Sequence, residues 1–229
     1  MTTNPPLHLL GPTNIGKGFM THLLQRALKL QHSIQIGIVS VGDEVRQRFA
    51  DDHAFKQTYE PVIAKGHLVP DHEVIPMFDQ RLNVVRNEKL VVTDGFLRNA
   101  TQVEHAGKTN LLERGSASVI MHGSRSTCHN RLLHRMEQKP NGKRIDEHAF
   151  QERYELHQNS IQRIQGALVH TGTQVFHVDA NGDLEKDVFP QMLTFAECVL
   201  FRHFQHEPRD FMLEAFKQHM EIHRSQVTA

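Results

Sequence analysis

The segment His8-Leu9-Leu10-Gly11-Pro12-Thr13-Asn14-Ile15-Gly16-Lys17-Gly18-Phe19 constrains this chain more than any other. It passes from an apolar, strand-like stretch through a G-x-x-x-x-G-K loop into residues with helical apolar spacing. A strand that feeds a helix through such a loop is the setting in which backbone N–H groups converge on a phosphate. Gly11 and Gly16 permit the backbone angles that aim those groups inward, and the helix N-terminus adds partial positive charge. Lys17 adds a full charge suited to β- and γ-phosphates.

The rest of the chain agrees with a strand–helix architecture. Short aliphatic runs recur at Leu7–Leu10, Ile34–Val41, Leu90–Thr93, Ser118–Met121 and Gln174–Val178. Helical patterns such as Lys17–Leu30 and Ser126–Glu137 separate them. Such alternation predicts a parallel sheet, here of five strands, covered on both faces. The second and third runs stand about fifty residues apart. That interval reads as helices at Asp43–Ala50, Asp52–Lys65 and Asp71–Asn87, punctuated by Gly66 and Pro70. It predicts a helical insert at one edge of the sheet. Glu137–Ile145, with Lys139, Pro140, Gly142, Lys143 and Arg144, reads as a short basic loop between helices. The last thirty or so residues read as two helices broken near Pro208.

Composition excludes several classes. Lys+Arg and Asp+Glu are equal at 26 each, so no net basic field points to a nucleic acid polymer or a membrane surface. The two cysteines, Cys128 and Cys198, cannot build a disulfide framework, and a reduced, cytoplasmic setting is expected. The first residues lack a signal peptide's basic and apolar regions, and no apolar run is long enough to span a bilayer. The 18 histidines include His203/His206 and His219/His223, each pair able to share a helical face. No third ligand completes a metal site there.

Further motifs narrow the reading. The Gly-Lys-Gly form of the loop, with Phe19 after it, resembles the G-x-P-G-x-G-K-G-T loop of the adenylate kinase family of nucleoside monophosphate kinases. Ser40-Val41-Gly42-Asp43-Glu44-Val45-Arg46 resembles that family's S-T-G-D-x-x-R, and Gly66-His67-Leu68-Val69-Pro70-Asp71 its G-x-L-V-x-D turn. Asp94-Gly95-Phe96-Leu97-Arg98 resembles D-G-F-P-R, and Gln102 falls at the family's later Gln. Arg131 and Arg135 match the pair leading into a lid, and Arg144-Ile145-Asp146 with Arg153 match the lid and the helix after it. The order of motifs covers roughly residues 7–193.

The resemblance implies a three-layer P-loop kinase fold with strand order 2-3-1-4-5. It places an acceptor-binding insert near residues 42–88, a short lid near 137–146 and a helical extension from 194 to 229. It implies reversible phosphoryl transfer from Mg·ATP to a nucleoside monophosphate, with AMP favoured because Gln102 can offer a paired contact to adenine. The UMP/CMP kinases of the same family are the alternative, suggested by Val41 and Asn99. ATP would meet Gly11, Asn14, Ile15, Gly16, Lys17, Gly18, Phe19, Arg131 and Arg135. The monophosphate would meet Val41, Gly42, Arg46, His67, Leu68, Val69, Gly95, Arg98 and Gln102. Lys17, Arg98, Arg135, Arg144 and Arg153 would stabilise the transferring group, and Asp94 and Asp43 would hold magnesium through water. The absence of lid cysteines excludes the zinc-lidded form.

Departures from the family pattern carry expectations of their own. Phe19 stands where a Thr hydroxyl would meet the donor phosphates, which argues for weaker donor binding or for a binding protein with little turnover. Leu97 stands where a Pro fixes the turn before Arg98; a trans turn and a shifted Arg98 are expected. The interval from Asp146 to Arg153 is two residues short of the family's. Met212, Ala215, Phe216, His219, Met220 and His223 share a helical face, and a dimer or partner contact through 208–224 is expected beside simple docking on the core.

Overall fold

The computed structural model describes residues 6–109, 111–112, 116–138 and 146–200. The elements in chain order are β1 (Leu7–Leu10), α1 (Lys17–His32), β2 (Gly37–Ser40), α2 (Val41–Asp51), α3 (His53–Ala64) and α4 (Asp71–Val85). There follow β3 (Val91–Asp94), α5 (Ala100–Lys108), β4 (Ala117–His122), α6 (Arg125–Glu137), α7 (Glu147–His170), β5 (Gln174–Asp179) and α8 (Phe189–Leu200). The five strands pair in parallel in the order β2-β3-β1-β4-β5, as expected.

Side chains alternate across the sheet as the pleat requires. Leu7, Leu9, Val92, Val119 and Met121 enter one apolar cluster, built with α1 and α8. Leu10, Val39, Val91 and Ile120 enter a second, on the face covered by the insert, α5 and α7. Both faces are buried, which is why the strands read as near-continuous apolar runs.

The helices begin where short polar side chains cap free N–H groups. Ser40 accepts from Asp43 N, Asp52 from Phe55 N, Asn99 from Gln102 N and Ser124 from Thr127 N. Helices α2, α3 and α4 form the expected insert between β2 and β3.

The second strand is shorter than the run Ile34–Val41 suggests. Ser33 takes a left-handed conformation and Ile34 N returns to Leu28 O at 3.2 Å, so these residues close α1 instead of opening β2. At the other end, Val41 already belongs to α2. Helix α8 runs past residue 193 and buries Phe195, Ala196, Cys198 and Val199, so the core body continues to residue 200. The lid loop from 139 to 145, Arg144 within it, and the tail from 201 onward lie outside the described residues.

Candidate functional site

Strand β1 is flanked by β3 on one side and β4 on the other, so the chain switches direction across the sheet at β1. Ligands of open α/β sheets bind at the C-terminal strand ends beside such a switch. Leu9 and Ser40 both lie in register with Asp94 there, which gathers the loop, the start of α2 and the turn after β3 at one edge.

The loop has the backbone its sequence calls for. Gly11, Asn14 and Gly16 have φ of 150°, 60° and 108°. A Cβ on Gly11 would lie 2.8 Å from Met121 O, and one on Gly16 would lie 2.8 Å from a Leu184 methyl, so neither position has room for a side chain. Ile15 is fully buried and fixes the loop from beneath. Its Cδ1 fills the space that a Cβ on Gly123 would need.

Lys17 is 9% exposed, and its Nζ donates to Gly11 O and Pro12 O, both at 2.9 Å. Burial pushes its pKa down to about 8; Asp94 opposes that and Arg98 adds to it. Gly18 faces the Asp94 carboxylate, which lies 3.5 Å from where its Cβ would be. Phe19 is 43% exposed and belongs to neither apolar cluster. Arg131 donates to Ile15 O at 2.7 Å and Gly182 O at 2.8 Å, tying the loop to the segment after β5.

A second cavity, of about 190 Å³, opens between the insert and the turn after β3. All nine residues expected at the acceptor, from Val41 and Gly42 through Arg46, His67, Leu68, Val69, Gly95 and Arg98 to Gln102, line it. Phe49, Ile63 and Val74 complete an apolar wall. Asp43 and Arg46 form an ion pair at its mouth. Burial alone would raise the Asp43 pKa, but Arg46 and Ser40 outweigh it and hold the carboxyl below its ordinary value.

Arg98 and Arg153 line both this cavity and the one beside Lys17. Their bonded partners are backbone carbonyls: Arg98 Nε donates to Gly95 O at 2.8 Å, and Arg153 Nη2 to Ile63 O at 3.3 Å. Neither forms an ion pair among the described residues, and the buried Nε of Arg153 has no acceptor. Burial lowers the pKa of each; Asp94 opposes this at Arg98, while Arg98 lowers Arg153 further. Like charges held together with no carboxylate in ion-pair contact, Asp94 acting on Arg98 only from a distance, form an arrangement suited to an anion.

The turn carrying Arg98 departs from the family pattern as expected. Its peptide bonds are trans, and Leu97 takes φ 60° while 1% exposed. Arg98 nevertheless reaches the junction of the two cavities. Arg135 is exposed near the end of α6 and lines neither cavity, so it stands apart from the cluster the sequence assigns it to. Gln102 is 3% exposed, and part of its amide is already engaged with Arg98 N and Asp71.

Two residues of the site go unannounced by the motifs, His157 and Gly123. His157 sits one turn beyond Arg153 on α7 and lines the cavity beside Lys17. Burial, then Lys17 and Arg98, depress its pKa to about 4, so it is neutral near pH 7. Its i, i+4 spacing from Arg153 is the available signal. No group of three or more His, Cys, Asp or Glu arranged to hold a metal occurs among the described residues, and the His pairs of the tail lie outside them.

A parallel sheet in this order, with a glycine-flanked loop delivering Lys17 to a helix, is the P-loop kinase fold. No family model matches the chain. Adenylate kinases do: that of Borreliella burgdorferi is 30% identical over 102 residues, covering 44% of this chain and 46% of the relative. That of Phytoplasma australiense is 36% identical over 98 residues, 43% of this chain and 42% of the relative. That of Caldanaerobacter subterraneus is 35% identical over 107 residues, 47% and 45% respectively. The matches span less than half the length of these curated relatives. Over that span, and in its loop and sheet order, the chain is similar to adenylate kinases. Among the described residues no helix is long and apolar enough to cross a membrane.

Proposed function

We propose that the protein is a nucleoside monophosphate kinase that transfers the γ-phosphoryl group of ATP reversibly to AMP. The observation that carries this reading is the pair Arg98 and Arg153, shared by two adjoining cavities and unpaired by any described carboxylate. A hydrolase needs one phosphate site and access for water. Two anion-binding cavities that meet at shared guanidiniums suit two phosphorylated substrates instead.

In this reading the loop N–H groups and Lys17 hold the donor's phosphates. Arg46 and Arg98 hold the acceptor phosphate. An acceptor oxygen bonds to the γ-phosphorus as its bond to the β–γ bridging oxygen breaks, leaving two diphosphates. Charge spreads over the three equatorial oxygens during this step, and Lys17, Arg98 and Arg153 stabilise it. Arg144 is proposed to join them from the lid. Arg131 steadies the donor loop through Ile15 O. Gly66 packs directly on α7, where a Cβ would lie 2.6 Å from Ala149 O, which joins the insert to the helix carrying Arg153.

Magnesium fits the residues present. Asp94 places one carboxylate beside Gly18 at the loop, and a cation that keeps most of its water needs no larger set. Asp43, already paired with Arg46, is proposed only to assist. Bound with ATP, magnesium would supply charge neutralisation on the polyphosphate.

AMP is favoured by Gln102, which retains one N–H and one oxygen lone pair for adenine at the cavity wall, and by the relatives' name. A pyrimidine acceptor is the second reading, favoured by Val41, which presents no hydroxyl to the base. Incubation with Mg·ATP and each of AMP, CMP, UMP, GMP and dTMP, with the diphosphates resolved, tests both. ADP formed from AMP at the highest kcat/KM supports the first. Preference for CMP or UMP replaces it with the second. ATP binding without any product leaves a nucleotide-binding protein.

A further inference from the structure

Asp71 opens α4 in the insert, and its carboxylate accepts the N–H bonds that link the insert to the first turn of α5. Asn99 Nδ2 donates to its two oxygens at 3.1 and 3.0 Å, and Gln102 Nε2 donates at 2.7 Å. On its other side Gln102 Oε1 accepts from Arg98 N at 2.9 Å, while Asn99 Oδ1 accepts from Gln102 N at 2.9 Å and caps α5.

The polarity of this chain is forced. A carboxylate can only accept, so Gln102 must turn Nε2 toward Asp71 and Oε1 toward Arg98 N. A flipped amide would set its oxygen against a carboxylate and its NH₂ against a backbone N–H, losing both bonds. The turn so held is one that needs holding. Leu97, directly before Arg98, occupies a left-handed conformation that costs a bulky residue energy. No proline stiffens it.

We propose that Asp71 is a positioning residue for the acceptor phosphate. It locks Gln102 in one amide orientation and, through Gln102, fixes the backbone that carries Arg98, so that insert and phosphate site move as one. The inference rests on the acceptor-site reading above.

Reversing the bridge tests it. In Gln102→Glu two carboxylates meet at hydrogen-bond distance and repel. In Asp71→Asn the charge that holds the amides of Asn99 and Gln102 is gone. In the double variant the new amide at position 71 donates to the new carboxylate at position 102. The other oxygen of that carboxylate still accepts from Arg98 N, and the amide oxygen at position 71 still accepts from Asn99. Steady-state kinetics with AMP varied, AMP titration calorimetry and thermal unfolding are measured on all four proteins. Each single variant should raise the AMP KM about tenfold or more, the scale of a lost hydrogen bond to a charged group. The double variant should have an AMP KM well below that of the worse single variant, short of wild type only by the adenine contact that a carboxylate at position 102 cannot donate, and the ATP KM should hold throughout. Single variants with wild-type AMP KM overturn the proposal, as does a double variant no better than the worse single one. Wild-type protein that binds ATP but no nucleoside monophosphate overturns the acceptor-site reading itself, and this proposal with it.

Discussion

Replacing Lys17 by Met isolates the energetic consequence of placing a cation under the phosphate loop. The folded pKa of Lys17 falls from 10.5 to about 8, chiefly through burial. At about 1.4 kcal/mol per pH unit, that drop corresponds to about 3 kcal/mol of stability. Because Lys17 is half-titrated at each end of the window from pH 8 to 10.5, about 2–3 kcal/mol of this appears within it. The sign follows from proton counts. Between pH 8 and 10.5 the unfolded chain retains the Lys17 proton while the folded chain has released it. The unfolded state therefore binds more protons, and stability rises with pH across that window. Below it, the buried charge is a standing cost. Urea unfolding of wild type and Lys17→Met across the window removes every other titration by difference. Wild type should gain about 2–3 kcal/mol on the variant from pH 8 to 10.5. Two activity readouts accompany it. The variant should keep less than about a tenth of wild-type kcat, a loss above ~1.4 kcal/mol. Wild-type kcat/KM for ATP should fall above about pH 8, while kcat holds to higher pH because bound phosphates restore the charge. A stability difference that stays level across the window would refute the burial argument.

Three further outcomes are expected. Phe19→Thr should melt near wild type, because the ring is 43% exposed, and should tighten ATP binding by about 10- to 150-fold through a regained hydrogen bond to phosphate; weaker ATP binding at unchanged stability would make the ring a donor contact instead. Leu97→Pro should cost more than about 1 kcal/mol in urea unfolding and raise the acceptor KM, since φ 60° is closed to a residue fixed near −65°; wild-type stability would show that the turn tolerates the family's proline. His8 donates to Leu111 O and accepts from Thr93 while buried, with its pKa lowered from 6.5 to about 4 by burial. The unfolded chain takes up that proton first, so stability should fall as pH drops from 6.5 to about 4, by about 3 kcal/mol. His8→Gln should remove the His8 share of that fall and leave the share of His157, whose pKa is lowered to about 4 as well; an unchanged slope would remove His8 as a cause.

The parts of the site legible in the sequence are those whose chemistry sits within a few consecutive residues. The loop shows itself because two glycines and Lys17 must stand at fixed spacing between a strand and a helix. The acceptor wall shows itself through three short segments, at 40–46, 66–71 and 94–98, which the strand order then brings to one edge. What stays hidden depends on pairings distant in sequence. Asp71 and Gln102 are 31 residues apart, and nothing local announces that one amide is spent on both Asp71 and Arg98. Gly123 looks like an ordinary strand end until Ile15 occupies its missing side chain's place. Lys17 reads as charge alone, yet it is also buried and bonded to the loop it serves. The start of β2 is illegible for another reason: apolar content does not distinguish a buried helix cap from a strand.

The most direct measurement of the central claim supplies Mg²⁺ and ADP alone and follows products by phosphorus NMR. An enzyme with a donor cavity and an AMP cavity meeting at Arg98 and Arg153 must convert two ADP into one ATP and one AMP, in equal amounts and without free phosphate. Lys17→Met should show neither product above background. ATP and AMP appearing together at equal rates is the predicted result. AMP accumulating with inorganic phosphate, or ADP left unchanged by folded protein that binds it, would contradict the account.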